Sequence, residues 1–187
     1  KIIYKDSTKS HISSFTQYKQ DYIKSINNSD EFWNKIAKRL YWNKPWDTIS
    51  NNDFSKAKIN WFQGGQLNAS YNCLDRHVES GHGNKIALIW EGNNPNEDKS
   101  FTYNQLLNEV CKFSNVLKSN GIFKGDRVCI YMQMIPELAI AMLACSRIGA
   151  IHSIVFGAFS PDSLRERIND SKCKLLVTQD TGIRGEK

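Results

Sequence analysis

Long apolar runs are missing from these 187 residues: the longest is interrupted by Glu137 and Arg147, too short for the about 20 residues a bilayer requires. No charged stretch followed by an apolar core and a small-residue cleavage site opens the chain, and its first residue is Lys1 rather than Met. A close pair of cysteines is missing too. The five, Cys73, Cys111, Cys129, Cys145 and Cys173, are odd in number and nowhere nearer than sixteen residues apart, and four of them lie within apolar or helical patterns, so buried free thiols in a reducing compartment are expected and a disulfide framework is not. These absences predict a soluble intracellular protein without a membrane partner. They favour the cytoplasm and leave nucleus or organelle open.

Chemical signatures are also scarce. The sequence contains no G-x-x-x-x-G-K-[ST] loop and no G-x-G-x-x-G after a strand, which excludes the common mononucleotide and dinucleotide loops. No internal repeat occurs. Cys73 and His77 are four apart but lack a second pair of ligands, so no metal site is predicted. No general base stands beside a nucleophile at any strand exit, and no catalytic residue is assigned.

What is present begins with charge. The net charge is +6, and its excess lies in residues 1–60, with eleven Lys and Arg against six Asp and Glu. Without a nucleic-acid motif, this segment reads as a solvated face rather than a nucleic-acid surface. Phe15, Tyr18 and Tyr22 have the spacing of one helical face, laid over something larger. Asp30 is placed as the cap of an amphipathic helix carrying Phe32, Trp33, Ile36, Ala37 and Leu40. Trp33, Trp42, Trp46 and Trp61, broken by Pro45, a polar loop from Ser50 to Ser55, and Gly64 and Gly65, form an aromatic belt expected to clamp an extension onto a larger body.

From Lys85 onward, strands alternate with helices. Ile86 to Trp90 reads as a strand and Asn93 to Lys99 as a polar loop. Thr102 and Gln105 have capping-box spacing ahead of Leu106, Leu107, Val110, Phe113, Val116 and Leu117, and Gly121 ends that helix. Val128 to Met132 lacks polar alternation, as expected of a strand covered on both faces in a parallel sheet. Pro136 suits the first position of an almost wholly apolar helix and Gly149 the position past its last turn. Ile151 to Val155 is a further strand, Ser160 and Pro161 open a helix with Leu164 and Ile168 facing in, and Leu175 to Thr178 is the last strand.

The fold expected is therefore α/β, a β-α-β-α-β-α-β partial doubly wound parallel sheet preceded by a mostly helical, Trp-rich extension, with the division at 1–80 and 81–187. A chain this long buries roughly 70 % of the surface its unfolded form exposes. Two strand exits, expected to be neighbours, are candidate sites. At Phe156, Gly157 and Ala158, glycine admits a close ligand and the following helix offers N–H groups to an anion; tight packing explains the same residues. At Arg184, Gly185, Glu186 and Lys187, two cations flank a glycine in a way that suits a phosphate or a solvated turn equally. His152, inside an apolar strand, reads as a hydrogen-bonded core residue.

Five segments resemble the acetyl-CoA synthetase family of acyl-adenylate-forming ligases: FWNKIAKRLYWNKPWDTI (Phe32 to Ile49), WFQGGQLNASYNCLDRHV (Trp61 to Val78), IALIWEG (Ile86 to Gly92), the long run from Phe101 to Ser160, and RGEK (Arg184 to Lys187). The resemblance extends over roughly residues 15–187 in one collinear order. It implies an acetate–CoA ligase that uses acetate, ATP and coenzyme A, with magnesium on the phosphates at a site outside these residues. It also implies coenzyme A contacts at Phe156, Gly157 and Ala158 and from Arg184 through Lys187, with Arg184 and Lys187 on the nucleotide phosphates. Ala158 departs from the family's glycine. Because the family's phosphate loop, acyl pocket and mobile-domain lysine lie beyond Lys187, these residues alone are expected not to catalyse. Propionyl-CoA synthetase and a non-catalytic α/β binding module derived from the family stay as alternatives. Oligomeric state is not written in these residues.

Overall fold

A computed structural model describes residues 10–94 and 96–182. The chain divides between Leu67 and Asn68 into two compact units.

In the first unit, α1 (Phe15–Asn27) is capped by Ser14, whose hydroxyl accepts the Gln17 N–H at 3.1 Å. Phe15, Tyr18 and Tyr22 do share a face, with ring centroids 6.1 and 6.3 Å apart, and α1 buries no residue. The second helix, α2 (Ser29–Ala37), starts one residue before Asp30. Asp30 is thus not its cap: it lies in the first turn, where a carboxylate favours the helix dipole, and it accepts the Ser50 hydroxyl at 2.6 Å. The stretch expected to be a plain polar loop begins inside β1 (Thr48–Ser50), which pairs antiparallel with β2 (Trp61–Gln63). This hairpin brings Trp42, Trp46 and Phe62 together, with centroids 4.9 to 5.5 Å apart, and sets Trp33 edge-on to Trp61 at 6.1 Å. The aromatic belt is a mutually packed cluster within its own unit.

The second unit opens with two short helices, α3 (Ala69–Cys73) and α4 (Asp75–His77), and a turn through Gly81, whose φ is +82°. Next come β3 (Ile86–Glu91) and β4 (Asp98–Thr102), then α5 (Tyr103–Ser119), β5 (Arg127–Met132), α6 (Pro136–Ile148), β6 (Ile151–Phe156), α7 (Pro161–Ser171) and β7 (Leu175–Thr178). The mixed α/β architecture is as expected, with a parallel sheet ordered β6-β5-β7. One element differs. β3 is not in that sheet; it pairs antiparallel with β4, and β4 takes up the end of the segment expected to be a loop. The connection of only a few residues between β3 and β4 is too short for a parallel crossover, which requires a dozen or more, so an antiparallel hairpin is the geometry available.

The capping box forms as the spacing predicts: Thr102 Oγ1 accepts the Gln105 N–H at 3.2 Å and Gln105 Oε1 accepts the Thr102 N–H at 2.8 Å. Pro136 takes the first turn of α6 and Gly149, with φ +76°, ends it. The core lies where α5 and α6 meet the sheet, around Val110, Leu117, Val128, Ile130, Leu138 and Ala144.

β5 shows why its sequence does not alternate. Val128, Ile130 and Met132 face the α5 and α6 core, while Arg127, Cys129 and Tyr131 lie on the opposite face. That second face carries α7. Arg127 donates to the carbonyls of Ser171 at 2.9 Å and Lys172 at 3.1 Å, satisfying the helix C-terminus, and Tyr131 reaches the turn at the other end. β5 therefore grips α7 at both ends. No helix among the described residues is long and apolar enough to cross a membrane.

Candidate functional site

All three parallel strands point their carboxyl ends at one cavity of about 500 Å³. β5 contributes Gln133, Met134 and Ile135, β6 contributes Phe156, Gly157 and Ala158, and β7 contributes Gln179, Asp180 and Thr181. The β3–β4 hairpin closes one side with Trp90 and the residues after it. This is where open α/β sheets bind ligands, because the strand exits lead into loops that no ladder occupies.

The loops are tied together by a few strong hydrogen bonds. The Trp90 indole N–H donates to the Met134 carbonyl at 2.7 Å, fastening the hairpin to the β5 exit. The Gln133 backbone N–H donates to Gln179 Oε1 at 2.7 Å, and Gln179 Nε2 donates to the Thr181 carbonyl at 2.5 Å, so one side chain links the β5 and β7 exits. The Tyr131 hydroxyl lies 3.1 Å from the Gly157 carbonyl and 3.0 Å from that of Phe159. Beyond the turn, Ser160 caps α7 by accepting the Ser163 N–H, and the Arg167 guanidinium stacks 4.5 Å from the centre of the Phe159 ring.

Gly157 and Ala158 have different demands on their side chains. Neither has a positive φ. A Cβ on Gly157 would come 3.2 Å from the Met132 carbonyl oxygen, so close backbone approach, not conformation, favours glycine there. At residue 158 the backbone is one that alanine adopts without strain.

The two candidate exits, expected to be neighbours, are separated, because β5 lies between β6 and β7. That is why Gln133 to Ile135, which carry no recognisable signal beyond following a strand, join the lining. Arg184, Gly185, Glu186 and Lys187 lie outside the described residues. The charged residues in the described lining are acidic, Glu91, Glu97 and Asp180.

A profile described as AMP-binding enzyme matches residues 74–187, more than half of the chain. The chain belongs to the AMP-binding enzyme family. A second profile, acetyl-coenzyme A synthetase N-terminus, matches residues 18–73. Among curated relatives, an acetyl-coenzyme A synthetase 2 of Pseudomonas aeruginosa is 56% identical over 171 residues, 91% of this chain and 26% of the relative. An acetyl-coenzyme A synthetase of Saccharophagus degradans is 56% identical over 176 residues, 94% of this chain and 27% of the relative. One from Leptospira biflexa is likewise 56% identical, over 93% of this chain and 27% of its own length. The chain thus spans about a quarter of the length of the curated relatives it matches.

For this AMP-binding family member, the remaining candidate side chains fall into structural positions. No three of His, Cys, Asp and Glu come together as a metal site among the described residues, and Cys73 with His77 is no exception. His152 is half-buried in β6, and burial pushes its pKa down; among the described residues its ring makes no hydrogen bond, contrary to the expected core role. All five cysteines are free thiols, but the expected burial holds for only two of them: Cys73 is exposed, and Cys111 and Cys173 are partly exposed. Cys129 and Cys145 are buried, and burial pushes Cys145 up to about 11.

Proposed function

We infer that this chain is part of an acetate–CoA ligase. In that reaction the acetate carboxylate attacks the α-phosphorus of ATP, forming acetyl-adenylate and expelling pyrophosphate; the thiol of coenzyme A then attacks the acyl carbon, forming the thioester and releasing AMP. The observation that carries the reading is the identity of 56% to acetyl-coenzyme A synthetases across both units, in a chain whose cavity lies at the carboxyl ends of its parallel strands. Residues 1–80 serve as the amino-terminal extension and 81–187 as the first part of the adenylation domain, working in the cytoplasm and inactive without the remainder.

Phe156, Gly157 and Ala158 form the part of the coenzyme A site described here. Because the described lining carries acidic residues and no cation, the phosphates of coenzyme A fall to Arg184 and Lys187, a fork of donors and a point charge, with Gly185 and Glu186 between them. Magnesium would neutralise the phosphates of ATP, at a site outside these 187 residues.

The test is acid-dependent exchange of labelled pyrophosphate into ATP by the polypeptide extended to the length of its relatives, with acetate, propionate and butyrate in turn. Exchange fastest with acetate is the expected result. Exchange fastest with propionate makes it a propionyl-CoA synthetase, and none with any acid from a folded protein leaves a non-catalytic binding module. Arg184→Ala tests the coenzyme site separately: the thioester step weakens and pyrophosphate exchange persists.

A further inference from the structure

We propose that Tyr131 is a positioning residue that aims the backbone of the Phe156–Phe159 turn at coenzyme A, without itself touching the ligand. The proposal rests on the reading of the cavity as part of the coenzyme A site.

Tyr131 stands on β5 one residue before the end of the strand, on the face that carries α7. Its hydroxyl has one proton and two carbonyls within reach, Gly157 at 3.1 Å and Phe159 at 3.0 Å. The chain has no cis peptide bonds among the described residues. In a trans peptide the C=O and N–H point to opposite sides of the chain. Holding the Gly157 carbonyl toward Tyr131 therefore turns the Ala158 N–H away from Tyr131, and holding the Phe159 carbonyl does the same to the Ser160 N–H. Ala158 lines the cavity and Tyr131 does not, so the Ala158 N–H is directed to the cavity side. Among the described residues it has no acceptor, whereas the neighbouring Phe159 N–H is spent on the Phe156 carbonyl at 3.0 Å.

The turn has a second, independent contact with β5. Gly157 sits so close to the Met132 carbonyl that a Cβ would come within 3.2 Å, and the Thr178 hydroxyl donates to the Tyr131 carbonyl at 3.0 Å, holding the end of β5 against β7. The turn is thus clamped from β5 on one side and open to the cavity on the other. A donor fixed before the ligand arrives costs no ordering when it binds, which is what a positioning residue contributes. The ligand atom it suits is a hydrogen-bond acceptor of coenzyme A.

Tyr131→Phe keeps the ring and removes only the hydroxyl. In the full-length polypeptide, KM for coenzyme A in the thioester-forming reaction should rise roughly tenfold, the equivalent of about 1.4 kcal/mol, with kcat within about twofold and acetate-dependent pyrophosphate exchange unmoved. Phe156→Ala, at the turn itself, is measured beside it. An unchanged KM in Tyr131→Phe with a raised KM in Phe156→Ala overturns the positioning role and leaves the site standing. An unchanged KM in both removes coenzyme A from this turn and the proposal with it. An equal fall in both half-reactions of Tyr131→Phe shows that the hydroxyl supports the fold at large, which also overturns it.

Discussion

Asp75→Ala should destabilise the second unit by about 2 to 3 kcal/mol. Asp75 and Arg147 form a bidentate pair, Nη1 to Oδ2 at 2.8 Å and Nη2 to Oδ1 at 2.9 Å, with side chains 15% and 29% exposed. Charge-assisted hydrogen bonds of this kind contribute about 1.5 to 3 kcal/mol each when well shielded, and breaking a fully buried pair costs about 3 to 5 kcal/mol. An exposed pair contributes less than about 1 kcal/mol. Arg147 can still reach water after the change, which places the cost between those limits. The location raises the stakes. The Asn68 amide donates to the carbonyls of Ser146 and Arg147 at 3.2 and 3.1 Å, so Asn68 and Asp75 together dock the 68–77 segment on the last turn of α6, with Leu74 in the core beside them. The Asp75 carboxylate also holds Arg147 above its usual pKa against the opposing effect of burial. Equilibrium urea unfolding is the assay, and with a slope of about 1 to 3 kcal/mol/M the midpoint should fall by on the order of 1 M. A cycle with Arg147→Met isolates the pair, with an expected coupling of about 2 kcal/mol. Lys112→Ala is the contrast, since its 2.8 Å bridge to Glu109 is 62% and 40% exposed and should contribute no more than about 0.5 kcal/mol. Equal costs for Asp75→Ala and Lys112→Ala would refute the argument from burial and geometry.

Stability should also fall at acid pH through Asp126. Lys174 Nζ at 2.6 Å and the Phe123 N–H at 2.9 Å hold its carboxylate below the usual range. With the folded pKa below the unfolded one, its contribution is full above about pH 4 and is lost as pH falls through the folded value; Asp126→Asn should flatten that limb in pH-dependent thermal melts. Thiol labelling of the native protein at pH 8 should modify exposed Cys73 first and spare buried Cys145, whose thiol is pushed up to about 11, until the chain unfolds. Thr102→Ala should cost about 1 kcal/mol in the same urea assay by removing one half of the α5 capping box.

Local signals in the sequence translated well into elements because their causes are local. The Thr102 and Gln105 pair, Pro136 at the start of α6 and Gly149 at its end each act within one turn of backbone, and each is found where its chemistry places it. The uninterrupted apolar character of Val128 to Met132 was equally readable, since a strand between two helical layers has no solvent face to mark with polar residues. Asp30 shows the limit of such signals. A carboxylate in the first turn and one at the cap both satisfy helix N-termini, and the Ser50 hydroxyl twenty residues away, not the local pattern, accompanies the choice of the former.

Strand order was not readable, and its consequences reach the site. Ile151 to Val155 reads as a strand just as the β5 run does, yet Ile151, Ile154 and Phe156 are 55%, 46% and 62% exposed and only Val155 is buried. The difference comes from position: β5 has a strand on each side and β6 only one among the described residues, a non-local property that periodicity does not encode. The same ignorance of order assigned Ile86 to Trp90 to the parallel sheet and set the exits of β6 and β7 side by side. Placing β5 between them changes the chemistry available. It brings Gln133 within reach of Gln179, lets Trp90 hold Met134 from the hairpin, and puts Tyr131 beneath the Gly157 turn. The residues that shape the cavity are thus mostly ones whose types carry no signal of their own. They become functional candidates only because the central strand delivers them to the same end of the sheet as the glycine turn that the sequence did announce.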